Sequence, residues 1–141
     1  MKTLETLLKV AHKKVEEVHE DIAKLQNIMF EMDKREAELL SKIDSEYEMA
    51  SMEDDSVLLS FAGTFALKSN DEILDIKKAR VDAQKLMAEK RAVLRQRFAE
   101  EKRFEILLER KRTELKKEHD KKQQAELDDL SIMRQAHKDF V

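Results

Sequence analysis

The sequence predicts an all-α fold: an antiparallel two-helix coiled-coil hairpin with a longer C-terminal helix. Three observations carry this. Of 141 residues, 42% are charged and 5% aromatic, with one glycine and no proline, a composition suited to long helices and too poor in large apolar side chains to fill a globular core. Apolar residues recur at heptad steps. The charge is split, acidic in the first half and basic in most of the second. The length suggests a single unit over residues 1–141.

The first helix, over about residues 2–53, follows steps of four and three from Leu4: Leu8, Ala11, Val15, Val18, Ile22, Leu25, Met29, Met32, Glu36, Leu39 and Ile43. Only Glu36 in this series is polar. A run of more than five heptads is a strong coiled-coil signal, with the apolar stripe facing a partner helix.

The pattern breaks between Glu53 and Asn70. An acidic stretch, Glu53-Asp54-Asp55-Ser56, leads through Val57-Leu58-Leu59-Ser60-Phe61-Ala62 to Gly63. Gly63 adopts positive φ at little cost and is the expected reversal point of a tip over residues 54–70. Ser69-Asn70-Asp71-Glu72 then reads as a capping box that opens the second helix, over about residues 71–138. The seam of that helix is looser. Ile73, Ile76, Ala83, Met87, Leu94, Phe104, Leu108 and Leu115 occupy heptad steps, and Arg80, Lys90, Arg97, Glu101 and Lys111 share the same register.

Charge selects the partner. Residues 1–75 hold 9 Lys/Arg against 18 Asp/Glu, and residues 76–122 hold 17 against 9. A parallel dimer would set like charges together, whereas folding back sets the acidic helix against the basic one. Such exposed pairs are weak one by one; they select the arrangement that the apolar seam stabilises. A chain that satisfies itself in this way is expected to be monomeric alone. A tip centred near residue 62 puts Glu36 opposite the region of Lys90, a predicted seam pair that fixes register. The arms are unequal, about 75 Å and about 100 Å at 1.5 Å per residue. The second helix is expected to overhang from about Lys121, with Leu127, Leu130, Ile132, Met133 and Phe140 left without an intramolecular partner. Such a set marks a docking surface.

Several chemistries find no support. One glycine cannot build a phosphate-cradling loop. Without cysteine there is no disulfide and no thiolate zinc site. His12 and His19 lie two turns apart beside the seam without a third ligand, so both read as solvated flank residues, and His119 and His137 are isolated. The many carboxylates lack a cleft that would shift their pKa values, so no catalytic residue, cofactor or small-molecule ligand is expected. Of the seven methionines, Met29, Met32 and Met87 fall on the seam as core fillers. The basic run Arg110-Lys111-Arg112 with Lys116-Lys117 and Lys121-Lys122 lacks interleaved aromatics, which argues for a solvated or intrahairpin charge face over a nucleic-acid surface. Tyr47, Phe61 and Phe65 gather at the tip, either as a self-packed cap or as a partner site. No stretch approaches the ~20 apolar residues that span a bilayer, and the N-terminus lacks a signal peptide's apolar block. A cytoplasmic location is expected.

Two segments resemble a known family. Leu4-Glu5-Thr6-Leu7-Leu8-Lys9-Val10-Ala11 with Lys14-Val15 is similar to the start of the FliJ family of flagellar export stalk proteins. The second helix is closer still, in Glu101-Lys102-Arg103-Phe104-Glu105-Ile106-Leu107-Leu108-Glu109-Arg110-Lys111 and in Gln123-Gln124-Ala125-Glu126-Leu127-Asp128-Asp129-Leu130 with Arg134. The resemblance covers nearly the whole chain. It implies an antiparallel coiled coil like the central stalk of rotary ATPases, a non-enzymatic component of flagellar type III export. The paired chain ends would enter a hexameric export ATPase, the tip half would contact the membrane-embedded export gate, and export chaperones would be further partners. The chain would then be peripheral at the inner membrane through the export apparatus.

Carried onto this sequence, the resemblance implies ATPase-binding residues Leu4, Leu8, Phe104, Leu108, Glu109, Arg110, Lys111 and Arg112, with Leu127, Leu130 and Met133 further along. The implied gate-binding residues are Leu39, Ile43, Tyr47 and Ile73, of which Leu39 and Ile43 are equally seam residues. The tip around Phe61 and Phe65 departs from the family pattern. The stalk of a virulence-type secretion system, or a coiled-coil scaffold without an ATPase partner, are the alternative readings.

Overall fold

The computed structural model describes residues 2–140, with side chains for residues 2–139. Two helices, α1 (Lys2–Glu53) and α2 (Ser56–Phe140), account for all of these except a two-residue link. The all-α class and the helical hairpin with a longer second helix are as the heptads predict, but the reversal lies elsewhere. Asp54 turns the chain with φ 46°, a left-handed conformation in which Asp is one of the few tolerated non-glycine residues. Its N–H donates to the Ser51 carbonyl at 3.4 Å. Asp55 then caps α2, its Oδ1 accepting from the Val57 N–H at 2.9 Å while its carbonyl accepts from the Leu59 N–H at 3.0 Å.

All of the expected tip over residues 54–70 except Asp54 and Asp55 is therefore helix. Gly63 is interior to α2 and has no positive φ. Ser69 is not a cap but a buried residue, 3% exposed, and Glu72 reaches across to Arg35 instead of back to a helix start. The physical reason is local. Once Asp55 caps the helix no proline interrupts it, and one interior glycine costs only about 1 kcal/mol against alanine, which packing of the helix face offsets.

The chain divides into two units. The unit Glu16–Gln96 contains the link and an antiparallel helix pair. Its core joins Val18, Ile22 and Leu25 of α1 to Ala83 and Met87 of α2, with Met29, Val93 and Leu94 packed against it. Nearer the link, Leu39 and Ile73 are buried, and beside the link itself the buried residues are Ala50, Ala62, Ala66 and Ser69. Cross-helix ion pairs run along the flanks. Arg35 grips Glu72 with two hydrogen bonds, Nε–Oε1 at 2.8 Å and Nη2–Oε2 at 3.2 Å. Arg80 binds both Glu36 and Asp33, the latter at 2.9 Å. Lys90 pairs with Asp21 at 3.2 Å. The expected Glu36–Lys90 pair does not form: moving the reversal from Gly63 to Asp54 slides the helices, so Arg80 arrives opposite Glu36.

The other unit comprises Met1–Val15 and Arg97–Val141. Here Ala11, Val15 and Leu108 are buried, and Leu4, Leu8 and Phe104 are half-buried. His12 Nδ1 lies 2.8 Å from Glu101 Oε1, and Arg112 Nη2 lies 3.8 Å from Glu5. From Glu109 to Asp139 every side chain of α2 is exposed. The overhang thus begins about a dozen residues before Lys121, again because the reversal comes earlier than Gly63. Leu115, placed on the seam by its spacing, lies in this exposed stretch at 42%.

Candidate partner-binding surfaces

The helix pair presents faces more than clefts, so its chemistry is that of recognition. The ATPase-side candidates fall into two groups. Leu4, Leu8, Phe104 and Leu108 lie within the seam of the unit Met1–Val15 with Arg97–Val141, buried or half-buried. They hold the N-terminal stretch of α1 against α2 and offer little surface. Glu109, Arg110 and Lys111 are exposed, as is Arg112, which also reaches Glu5. Beyond them every side chain of α2 to Asp139 is exposed.

That stretch of α2 changes character along its length. Lys116, Lys117, Lys121 and Lys122 form a basic band, succeeded by Glu126, Asp128 and Asp129. Gln124 donates to Asp128 one turn on at 3.1 Å, a contact that supports the helix locally. Leu127, Leu130 and Met133 follow at three-residue spacing, 58%, 51% and 68% exposed, with Ile132 at 67%. Large apolar side chains so exposed on an unpartnered helix are costly in water unless another protein covers them. The side chain of Phe140 lies outside the described residues.

A second apolar feature of the same unit lies off the seam. A groove of about 390 Å³ runs between the helices, lined by Leu7, Val10, Ala11, Lys14, Phe104 and Leu107 among others. Leu7, Val10 and Leu107 are all more than two-fifths exposed. Each directly precedes a seam residue, and the doublets Leu7-Leu8, Val10-Ala11 and Leu107-Leu108 were the available signal. An apolar residue one step off the seam widens the stripe beyond what one partner helix covers.

The gate-side candidates all lie in the unit Glu16–Gln96. Leu39 and Ile73 are core residues, 2% and 6% exposed, and Ile43 is half-buried. Tyr47 is the one that meets solvent, at 42%. Its hydroxyl passes 3.7 Å from the position a Cβ of residue 63 would take, so its ring end lies over Gly63. Of the expected tip aromatics, Phe61 is exposed and Phe65 half-buried.

Electrostatics follow the ion pairs. The hydrogen bond from Arg35, aided by its charge, holds the Glu72 carboxyl below the usual carboxylate range and raises the Arg35 guanidinium further. The Glu36 hydrogen bond does the same for Arg80. Among the described residues no cluster of His, Asp and Glu could hold a metal ion, and no helix is long and apolar enough to cross a membrane.

Compared with known proteins, residues 1–139 match the family described as the flagellar FliJ protein. No curated protein matches the chain, and no solved structure does.

Proposed function

The chain belongs to the flagellar FliJ family, whose members are non-enzymatic components of flagellar protein export, and from this we propose that it is the stalk that couples a hexameric export ATPase to the export gate. The observation that carries the reading is the stretch of α2 from Glu109 to Asp139, helical and wholly exposed, with Leu127, Leu130 and Met133 uncovered. A single helix entering a ring offers different contacts to each subunit. It biases their conformations in so far as those contacts differ in free energy between states.

The basic run Arg110-Lys111-Arg112 would sit at the ring mouth, and the apolar residues beyond it would enter. Leu4, Leu8, Phe104 and Leu108 serve this role indirectly, by clamping α1 to the base of the projecting helix. Toward the gate, Tyr47 is the candidate for direct contact, while Leu39, Ile43 and Ile73 shape the end that would meet it. Export chaperones are further partners. The chain would be monomeric alone, cytoplasmic, and held at the inner membrane only through these partners.

Co-purification with the flagellar export ATPase, scored for hexamer formation and ATP turnover, tests the proposal. Association with increased hexamer and turnover is expected. Leu127→Ser/Leu130→Ser/Met133→Ser should weaken association by about tenfold or more, as loss of central apolar anchors does, without lowering the Tm of the helix pair. Absence of association with the unaltered chain would overturn the proposal.

A further inference from the structure

We propose that one face of the link end of the unit Glu16–Gln96 docks a cationic amphipathic helix of a partner protein. This face uses none of the residues assigned above to the ATPase or the gate. It starts from an inversion of the usual pattern: beside the link the seam is filled by alanines, and the large apolar side chains stand outside it. Met49, Met52, Val57 and Phe61 are 59%, 78%, 59% and 68% exposed.

These four share a face. Met49 and Met52 are three apart on α1, and Val57 and Phe61 four apart on α2, so each pair stacks on one side of its helix. Met49, Val57 and Phe61 each directly precede a buried or half-buried seam residue: Ala50, Leu58 and Ala62. In an antiparallel pair the relating two-fold axis runs perpendicular to the plane of the helices, so residues displaced in the same rotational sense emerge on the same side. Tyr47 and Gly63, displaced the other way, meet on the opposite face. Two methionines and a phenylalanine make an adaptable apolar platform, of the kind that accommodates an amphipathic helix.

Charge identifies the occupant. Between Lys42 and Lys68 there is no Lys, Arg or His, but there are six carboxylates: Asp44, Glu46, Glu48, Glu53, Asp54 and Asp55. Asp55 is engaged in capping α2. Among the described residues none of the six is in an ion pair, whereas Asp21, Asp33, Glu36 and Glu72 of the same unit all are. The uncompensated negative field around an apolar face favours a partner that brings both apolar and positive side chains. It disfavours an anionic bilayer surface, and it disfavours the same face of a second copy, which carries identical charges.

The test uses the full chain and a fluorescent Leu/Lys peptide designed as an amphipathic helix, read by anisotropy at physiological salt. Two comparison peptides separate the contributions: a Leu/Glu peptide keeps the apolar face and reverses the charge, and a Lys/Ser peptide keeps the charge without the apolar face. Both should bind at least about tenfold more weakly than Leu/Lys. Met52→Ser/Phe61→Ser and, independently, Glu46→Gln/Glu53→Gln should each weaken Leu/Lys binding at least about tenfold, since apolar anchors and charge complementarity both contribute. Glu20→Gln/Glu31→Gln, elsewhere on α1, should leave it unchanged.

The isosteric amide variant decides the matter if the serine variant melts early. No binding of Leu/Lys would overturn the proposal outright, and equal binding of Lys/Ser or equal loss in Glu20→Gln/Glu31→Gln would overturn it in favour of a diffuse charge effect. Binding of the chain alone to phosphatidylcholine or phosphatidylglycerol vesicles would overturn it in favour of a membrane. Self-association abolished by Phe61→Ser would do so in favour of a second copy.

Discussion

Within the unit Glu16–Gln96, the part of the helix pair away from the link and its link end solve the same packing problem in opposite ways. Away from the link, Val18, Ile22, Leu25 and Met87 lie inside, and the flanks carry paired charges such as Arg80 with Glu36 and Asp33. At the link end, Ala50, Ala62 and Ala66 lie inside while Met49, Met52, Val57 and Phe61 lie outside, in a stretch whose carboxylates make no ion pair among the described residues. Small seam residues allow helices to approach closely, but they remove little apolar area from water, so less stabilisation comes from that seam. A two-residue link tolerates this, because it already holds the helices together. The difference teaches that stability and surface are allotted separately: the part away from the link holds the pair, and the link end is left for recognition.

The sharpest way to break this comparison is to delete a large seam residue. Leu39→Ala, at a position 2% exposed, should cost about 2–5 kcal/mol in denaturant unfolding, whereas Met52→Ala, at 78% exposed, should change stability by no more than about 0.5 kcal/mol. Equal effects would erase the distinction. Overfilling probes the alanine seam: Ala62→Met, where only 2% is exposed, should cost about 1–3 kcal/mol by forcing the helices apart. Gly63→Ala should do the reverse. An added Cβ meets only the Tyr47 hydroxyl, at 3.7 Å, so helix propensity should prevail and add about 0.5–1 kcal/mol.

Charge variants sharpen the register side of the comparison. Arg80→Met leaves both Glu36 and Asp33 without their cation and should lower Tm more than Lys90→Met, which leaves only Asp21; the opposite order would contradict the observed pairing. The smallest expected effect is in pH. The Glu72 carboxyl is held below its usual range by Arg35, so its contribution is complete above the unfolded carboxylate pKa and is lost as pH falls through the lowered folded value. Glu72→Gln should accordingly lower the neutral plateau of a Tm-against-pH curve slightly and leave Tm in strong acid unchanged, so that the acid limb flattens.

How much of this was legible in the sequence depends on which signal was local. The α1 seam was legible throughout, because from Leu4 to Ile43 every predicted step is buried or half-buried, Glu36 included. The turn was not. Gly63 attracted the reversal on propensity, yet Asp54 and Asp55 carried the needed chemistry, one tolerating positive φ and the other capping a helix. In the sequence both lie within an acidic stretch, which masks that chemistry. That one displacement explains the misplaced Glu36–Lys90 pair and the late start given to the overhang. The exposed α2 stretch was still foreseeable, since unequal arms leave one helix uncovered wherever the turn falls. The link-end face was not, because its apolar residues sit one step off the heptad, where a seam search does not look.

The two-residue link also orders events in time as the chain folds. Closing a loop costs about (3/2)RT ln n, so pairs flanking Asp54 and Asp55 meet after the least loss of chain freedom. Arg35 with Glu72 follows, and Glu5 with Arg112 encloses the longest stretch of these pairs. Folding should therefore proceed as a zipper from the link. Amide protons near Leu4 and Leu8 should exchange with solvent before those near Ile22 and Leu25, leaving the base of the projecting helix as the first part of the pair to open.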